Sequence, residues 1–92
     1  MPSSFLKDPD AILDYKFDWS NWLESGEIIA SHTMTVDTGI TKVSSSNDDD
    51  SVTVWLSGGT AGGRYNVTCR ITTDTLPARV EDRTMRILAV QR

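Results

Sequence analysis

Few side chains in this chain could do chemistry. His32 is the only histidine and Cys69 the only cysteine in 92 residues. A thiol becomes a nucleophile when a base or a positive charge stabilises its thiolate, and nothing in the sequence places His32 beside Cys69. Both fall in phase with apolar neighbours, so they read as a buried thiol and a partly buried, hydrogen-bonded imidazole. The run Asp48-Asp49-Asp50 supplies carboxylates, but a calcium loop needs oxygens at alternating positions, a central glycine and a distal glutamate. Consecutive aspartates point different ways, which makes a solvated loop the expectation. The glycines of Ser57–Gly63 lack the Gly-Lys-Ser/Thr ending of a phosphate loop. Asn66-Val-Thr68 matches a glycosylation sequon, which means nothing without a secretory signal. The expectation is therefore no enzyme, no metal and no cofactor.

What remains is the chemistry of binding. Trp19, Trp22 and Trp55 are large aromatics, the preferred anchors of interfaces and equally good core residues. Trp55 falls on the opposite strand face from Val52, Val54 and Leu56, which favours an exposed position. Arg64 and Arg70 share the polar face of one strand, and Arg83 and Arg86 across from them would complete a basic patch. Its counterpart would be acidic: Asp8, Asp10, Asp14 and Asp18, or a partner's carboxylates, since guanidinium–carboxylate pairs orient partners well. Residues 1–50 hold ten acids and three bases, a balance of −7, and residues 51–92 hold three acids and six arginines, a balance of +3. Either the halves interleave and cancel, or the molecule has an acidic and a basic face suited to stacking on copies of itself. The acidic half argues against nucleic acid as partner, because phosphate binding needs clustered Lys and Arg. No stretch approaches the ~20 apolar residues of a membrane helix, and the first ten residues lack a signal peptide's apolar core. The expectation is synthesis in a cytoplasm.

The elements that position these residues are strands. Tyr65, Val67, Cys69 and Ile71 alternate with Arg64, Asn66, Thr68 and Arg70. Ile28, Ala30, His32, Met34 and Val36 alternate with Ser31, Thr33 and Thr35, and Val52–Leu56 alternates likewise. Tyr15–Trp19, Ile40–Val43 and Thr84–Val90 complete the strands. Asp37-Thr-Gly39, Ser44–Asp50, Ser57–Gly63 and Leu76-Pro77 separate them as turns. Asn21, Glu24 and Gly26 predict one helical turn. Short strands at this spacing predict a β-sandwich. Met1–Leu13, with Pro2 and Pro9, reads either as a frayed terminus or as an arm over 1–13 that docks on a neighbouring subunit through Phe5 and Leu6. Residues 14–92 form the sandwich.

Two resemblances sharpen this. Leu56, the Gly-Gly-Thr60 corner and Tyr65-Asn-Val67-Thr-Cys69 resemble the tyrosine corner of fibronectin type III and bacterial immunoglobulin-like modules, with Cys69 where valine is usual. The likeness implies an immunoglobulin-like (fibronectin III-like) antiparallel sandwich with Tyr65 pinning the bend and Val67 and Cys69 inside. The second spans most of the chain, from Lys7-Asp-Pro-Asp through Asp18-Trp19-x-x-Trp22-Leu23, Gly26-Glu-Ile-Ile and Val54-Trp-Leu-Ser-Gly-Gly-Thr60 to Val90-Gln-Arg. It resembles a family of small virion proteins of tailed bacteriophages, described as tail-fibre or head–tail adaptors or accessory subunits. That resemblance implies a non-enzymatic structural protein of the virion, made in the bacterial host cytoplasm and present in several copies. Its partners would be tail, neck or fibre subunits and copies of itself. Capsid decoration, or adhesion by a carbohydrate-binding module with Trp55 stacking on a sugar ring, is the alternative.

Overall fold

Residues 64–73 show why the chain makes sheets. Val67, Cys69 and Ile71 are fully buried while Arg64, Asn66 and Arg70 are exposed, the two-residue period of a strand with one face on a core. The structure, a computed structural model, describes residues 3–91, and side chains from residue 5 onward. Its strands are β1 (Ser3–Lys7), β2 (Leu13–Asp18), β3 (Ile29–Val36), β4 (Ile40–Asn47), β5 (Ser51–Gly58), β6 (Arg64–Thr73) and β7 (Val80–Ala89). They form two sheets, β1-β7-β6-β3 and β2-β5-β4. The architecture is the β-sandwich that the sequence pattern implies. The strand orders coincide with the C-F-G and B-E-D orders of immunoglobulin topology, with the first strand moved beside the last; the coincidence is one of topology alone.

The inner faces meet in one core. β2 contributes Tyr15 and Phe17, β5 Val52, Val54 and Leu56, β6 Val67, Cys69 and Ile71, and β7 Met85 and Ile87. Each fully buried aliphatic or aromatic side chain contributes about 1.5–3 kcal/mol relative to exposure. Trp19 closes the core at the end where β2 stops.

At the opposite end the chain leaves β5 at Gly58 and enters β6 at Arg64, crossing between the sheets. The Tyr65 hydroxyl accepts a hydrogen bond from the Thr60 backbone N–H at 2.9 Å. Its ring leaves no space for side chains around it. A Cβ on Gly63 would lie 2.5 Å from Tyr65 Oη, and one on Gly39 would lie 2.7 Å from Tyr65 Cε1. Gly39 also turns the chain at φ +107°, a conformation other residues avoid. The tyrosine corner read from the sequence is thus present, with the β3–β4 turn packed against it.

Several local expectations need correction. β1 pairs with β7 in parallel, so the sandwich is not wholly antiparallel. Where an arm is expected over 1–13, Ser3–Lys7 lie in the sheet as β1; Met1, Pro2 and Arg92 lie outside the described residues. Asn21–Gly26 forms turns, not a helical turn. In β3 a register shift between Ile29 and Ser31 changes the phase, so Ile29 is buried while Ile28 and Ala30 face out. A second shift between Lys42 and Ser44 turns Val43 outward. Ser44–Asn47, expected in a loop, continues β4, and the last strand begins at Val80 rather than Thr84.

Candidate interaction surfaces

The end of the sandwich where Trp19 sits is built from two connections. After β2 the chain folds into a turn in which the Trp22 and Leu23 amides both donate to Trp19 O, at 2.9 and 3.0 Å. Trp19 is fully buried and meets Trp22 edge-on, with centroids 5.5 Å apart. Of its two possible roles Trp19 therefore takes the core one, and it cannot touch a partner without unfolding. Trp22 is half-buried. Each indole carries a guanidinium over its ring, Arg83 over Trp19 at 4.2 Å and Arg79 over Trp22 at 4.0 Å. Arg83 also donates to Asp18 O at 2.6 Å.

Arg79 is the hub of this end. Its Nε donates to Glu27 Oε2 at 3.0 Å and its Nη2 to Glu27 Oε1, a bidentate pair in which the Glu27 side chain is 2% exposed. Glu27 Oε1 further accepts from the Glu24 amide at 3.0 Å, and Oε2 from the Thr75 hydroxyl at 3.3 Å. The Arg79 hydrogen bonds, followed by the Glu24 amide, outweigh desolvation and hold the Glu27 carboxyl down to about 2. The β6–β7 connection is tied down as well. Arg79 N donates to Thr73 Oγ1 at 2.8 Å, and Ile28 and Asp74 exchange bonds, Ile28 N to Asp74 Oδ1 at 3.0 Å and Asp74 N to Ile28 O at 3.1 Å. The loop so fixed presents Leu76, 97% exposed, at its tip.

The outer face of the four-stranded sheet carries the arginines. Registers place Leu88 between Arg64 and Leu6, Arg86 between Asn66 and Ser4, and Asp82 opposite Arg70. Arg70 binds Asp82 through both nitrogens, Nε–Oδ1 2.7 Å and Nη2–Oδ2 3.1 Å, so its charge is answered on its own face rather than by the N-terminal aspartates. Arg83 pairs in register with the buried Cys69 and projects to the Trp19 end, away from the other three. The expected four-arginine patch is thus corrected to Arg64 and Arg86, with Leu6 and Leu88 beside them. Phe5 turns the other way, against Tyr15 at 5.6 Å between centroids, with its ring partly exposed.

The outer face of the three-stranded sheet carries Trp55. It stands on the central strand between Asp14 of β2 and Ser44 of β4 and is 43% exposed. Val43, bulged out of β4 beside Ser44, is 54% exposed.

The remaining polar groups serve the fold. Asp48 Oδ1 accepts from the Ser51 amide and hydroxyl, both at 2.8 Å, and from the Asp50 amide at 3.1 Å, which makes the aspartate run a tight hairpin turn. Among the described residues no three His, Cys, Asp or Glu side chains converge as a metal site. Burial pushes the Cys69 thiol up to about 11, so it stays protonated. No helix among the described residues is long and apolar enough to cross a membrane. His32 bridges the sheets, Nδ1 2.6 Å from Asn47 Oδ1 and Nε2 3.0 Å from Ser45 Oγ.

Residues 7–88 match the family described as podophage GP4 fiber-tail adaptor protein gp77. The chain belongs to this family. The match takes in β2 to β6 whole and nearly all of β7, so it covers the fold rather than one motif. None of the curated proteins compared matches the chain. Members of the gp77 family are components of the phage virion with a structural adaptor role for fibres, and an adaptor of fibre to tail binds other virion proteins. The resemblance stated from the sequence agrees with this. Sequence reasoning missed Lys7, Glu27 and Leu76. Lys7 is fully buried, its Nζ donating to Gly58 O at 2.8 Å and Asp8 O at 2.9 Å. Nothing local announces burial of a charge when one of its two acceptors, Gly58 O, lies 51 positions away. Leu76 carried a signal that was read only as a turn: an isolated leucine before proline in a polar loop.

Proposed function

We propose that this adaptor is a non-catalytic joint, made in the host cytoplasm, that grips a fibre or tail subunit through the face carrying Trp55. The observation that carries this reading is Trp55 itself. Its strand's core face is filled by Val52, Val54 and Leu56, so the indole stands outside the core, 43% exposed. A large aromatic held on the central strand of a rigid sheet loses little entropy on contact, and Val43 beside it widens the apolar area. Asp14 and Lys16 on β2 supply a polar border that orients the partner. Leu6, Arg64 and Arg86 on the outer face of the other sheet offer a second surface, as a joint between two components requires, while Phe5 is turned away from it against Tyr15. Trp22, Arg70 and Arg83 are engaged within the chain and contribute through the shape they hold. The chain's net charge of −4 and the scatter of its free arginines disfavour nucleic acid.

The test is binding of Trp55→Ala to purified fibre subunits and to fibreless tails of the phage that encodes it. Loss of one of these interactions by tenfold or more, with the other intact, is expected. Unchanged binding to both would remove the Trp55 face from the proposal.

A further inference from the structure

Two of the three tryptophans are paired with arginines in the same way. Arg79 Cζ lies 4.0 Å from the Trp22 ring centroid, and the guanidinium donates to the Glu27 carboxylate. Arg83 Cζ lies 4.2 Å from the Trp19 centroid, and its Nη1 donates to Asp18 O. In both, the flat side of a guanidinium rests on an indole while an oxygen at the rim accepts from its N–H edge. Trp55 is the third tryptophan, half-exposed on the outer face of the three-stranded sheet. Asp14 of β2 stands directly opposite it in register, and is exposed on the same face. Side chains so paired have Cβ atoms about 4.5–5.5 Å apart, within the span of one guanidinium. Among the described residues no cation of the chain lies over the Trp55 ring, and Asp14 accepts no hydrogen bond. Lys16 follows on the same face between Asp14 and Asp18, so this row of β2 carries one net negative charge. Lys42 of β4 is in register with the inward-facing Leu56, off the parity of Trp55.

We propose that the Trp55 face receives an arginine side chain of the fibre or tail subunit, its guanidinium flat on the indole and its N–H edge on the Asp14 carboxylate. Arginine suits the pair better than lysine, because a planar cation can stack and donate at the same time, whereas an ammonium is a compact, strongly hydrated point charge. A sugar ring would also stack on the indole, but it offers no charge to Asp14. The arginine rests on the Trp55 face being the contact surface, and adds what the partner brings to it.

The assay is binding of the full chain to purified fibre subunits and to fibreless tails, with Asp14→Asn, Trp55→Ala and the double variant. Asp14→Asn keeps the shape and removes the charge, and circular dichroism checks that the fold is kept. Against the component that Trp55→Ala weakens, Asp14→Asn is expected to bind about fivefold more weakly or worse, the upper range of a partly exposed ion pair. The double variant is expected to lose less than the product of the two single losses, because ring and carboxylate hold one group. Added salt is expected to weaken wild type more than Asp14→Asn. A partner blocked at its arginines with butanedione is expected to lose this binding, and one acetylated at its lysines to keep it. Asp14→Asn binding as wild type while Trp55→Ala is weakened would overturn the arginine and leave the Trp55 contact standing. Unchanged binding of Trp55→Ala would overturn both. Competition by a free oligosaccharide, with binding indifferent to the blocking of arginines, would replace the arginine with a sugar.

Discussion

The tyrosine corner gives a prediction whose size follows from the coordinates. Tyr65→Phe keeps the ring and removes one hydrogen bond, that from the Thr60 amide at 2.9 Å. Thr60 is exposed, so water takes over the freed N–H, and the loss is the ordinary ~1 kcal/mol of a single hydrogen bond. For a domain of this length that corresponds to a fall of about 4–8 °C in Tm. Gly63→Ala acts on the same site from the other side. Its Cβ would sit 2.5 Å from Tyr65 Oη, 2.8 Å from Cζ and 2.9 Å from Thr60 O. Something must move, and crowding of this kind costs about 1–3 kcal/mol. The hydroxyl is the nearest obstacle, so removing it relieves part of the clash while the ring carbon and the carbonyl keep the rest. The double variant is therefore less damaged than the sum of the singles, by roughly 0.5 kcal/mol or more. Urea unfolding followed by tryptophan emission measures all four corners of the cycle, and hydrogen exchange of the Thr60 amide reports the bond directly. Strict additivity, or a Tyr65→Phe chain as stable as wild type with unchanged exchange at Thr60, would refute the account of the corner.

Three further outcomes are expected. The Glu27 carboxyl titrates near 2 when folded against an ordinary 4.5, so its stabilising effect is complete above 4.5 and is lost as pH falls towards 2. Asp18, Asp48 and Asp82 are shifted in the same direction; thermal melts should be flat from pH 7 to 5 and fall steeply below, with Glu27→Gln giving a shallower fall. Trp19→Ala should cost about 3–5 kcal/mol as a large-to-small core change, while Trp55→Ala, at a half-exposed site outside the core, should cost clearly less, both read from urea midpoints. Cys69 is fully buried with its thiol raised to about 11, so a thiol reagent at pH 8 should leave the native chain unlabelled and modify it only in urea.

The sandwich was legible because its strands obey a local rule. Val67, Cys69 and Ile71 announce a buried face through their own spacing, and the Gly-Gly-Thr60 to Tyr65 segment carries its crossing within ten residues. The errors lie where the rule is broken by geometry that spacing does not encode. A bulge at Ala30 reverses the phase of β3, so Ile29 goes in where Ile28 was expected. β1 pairs with β7 across almost the whole chain, which no pattern within Ser3–Lys7 specifies. The candidate surfaces were half legible. Trp55 is outward by strand parity alone, whereas Arg83 leaves the patch because its register partner is Cys69 on the inner side of β6. Glu27 and Arg79 find each other across 52 positions, and only the folded chain brings them together.

The edges of the two sheets limit how a partner can be held. An exposed strand edge is a template for another strand, and side chains link the neighbouring edges of the two sheets here. On one side His32 links β3 to Asn47 and Ser45 of β4. On the other, Tyr15 donates to Leu6 O at 3.2 Å and its ring meets Phe5, joining β2 to β1. β1 covers only Met85–Ala89 of β7, and the uncovered half bears Glu81, Asp82 and Arg83, all exposed. Side chains of alternating charge, Asp14, Lys16 and Asp18, line the outer side of β2. A strand added beside β2 or the uncovered half of β7 would bury several charges. The sheet faces offer a partner side chains rather than a free backbone edge, and Trp55 stands exposed on the central strand of one of them.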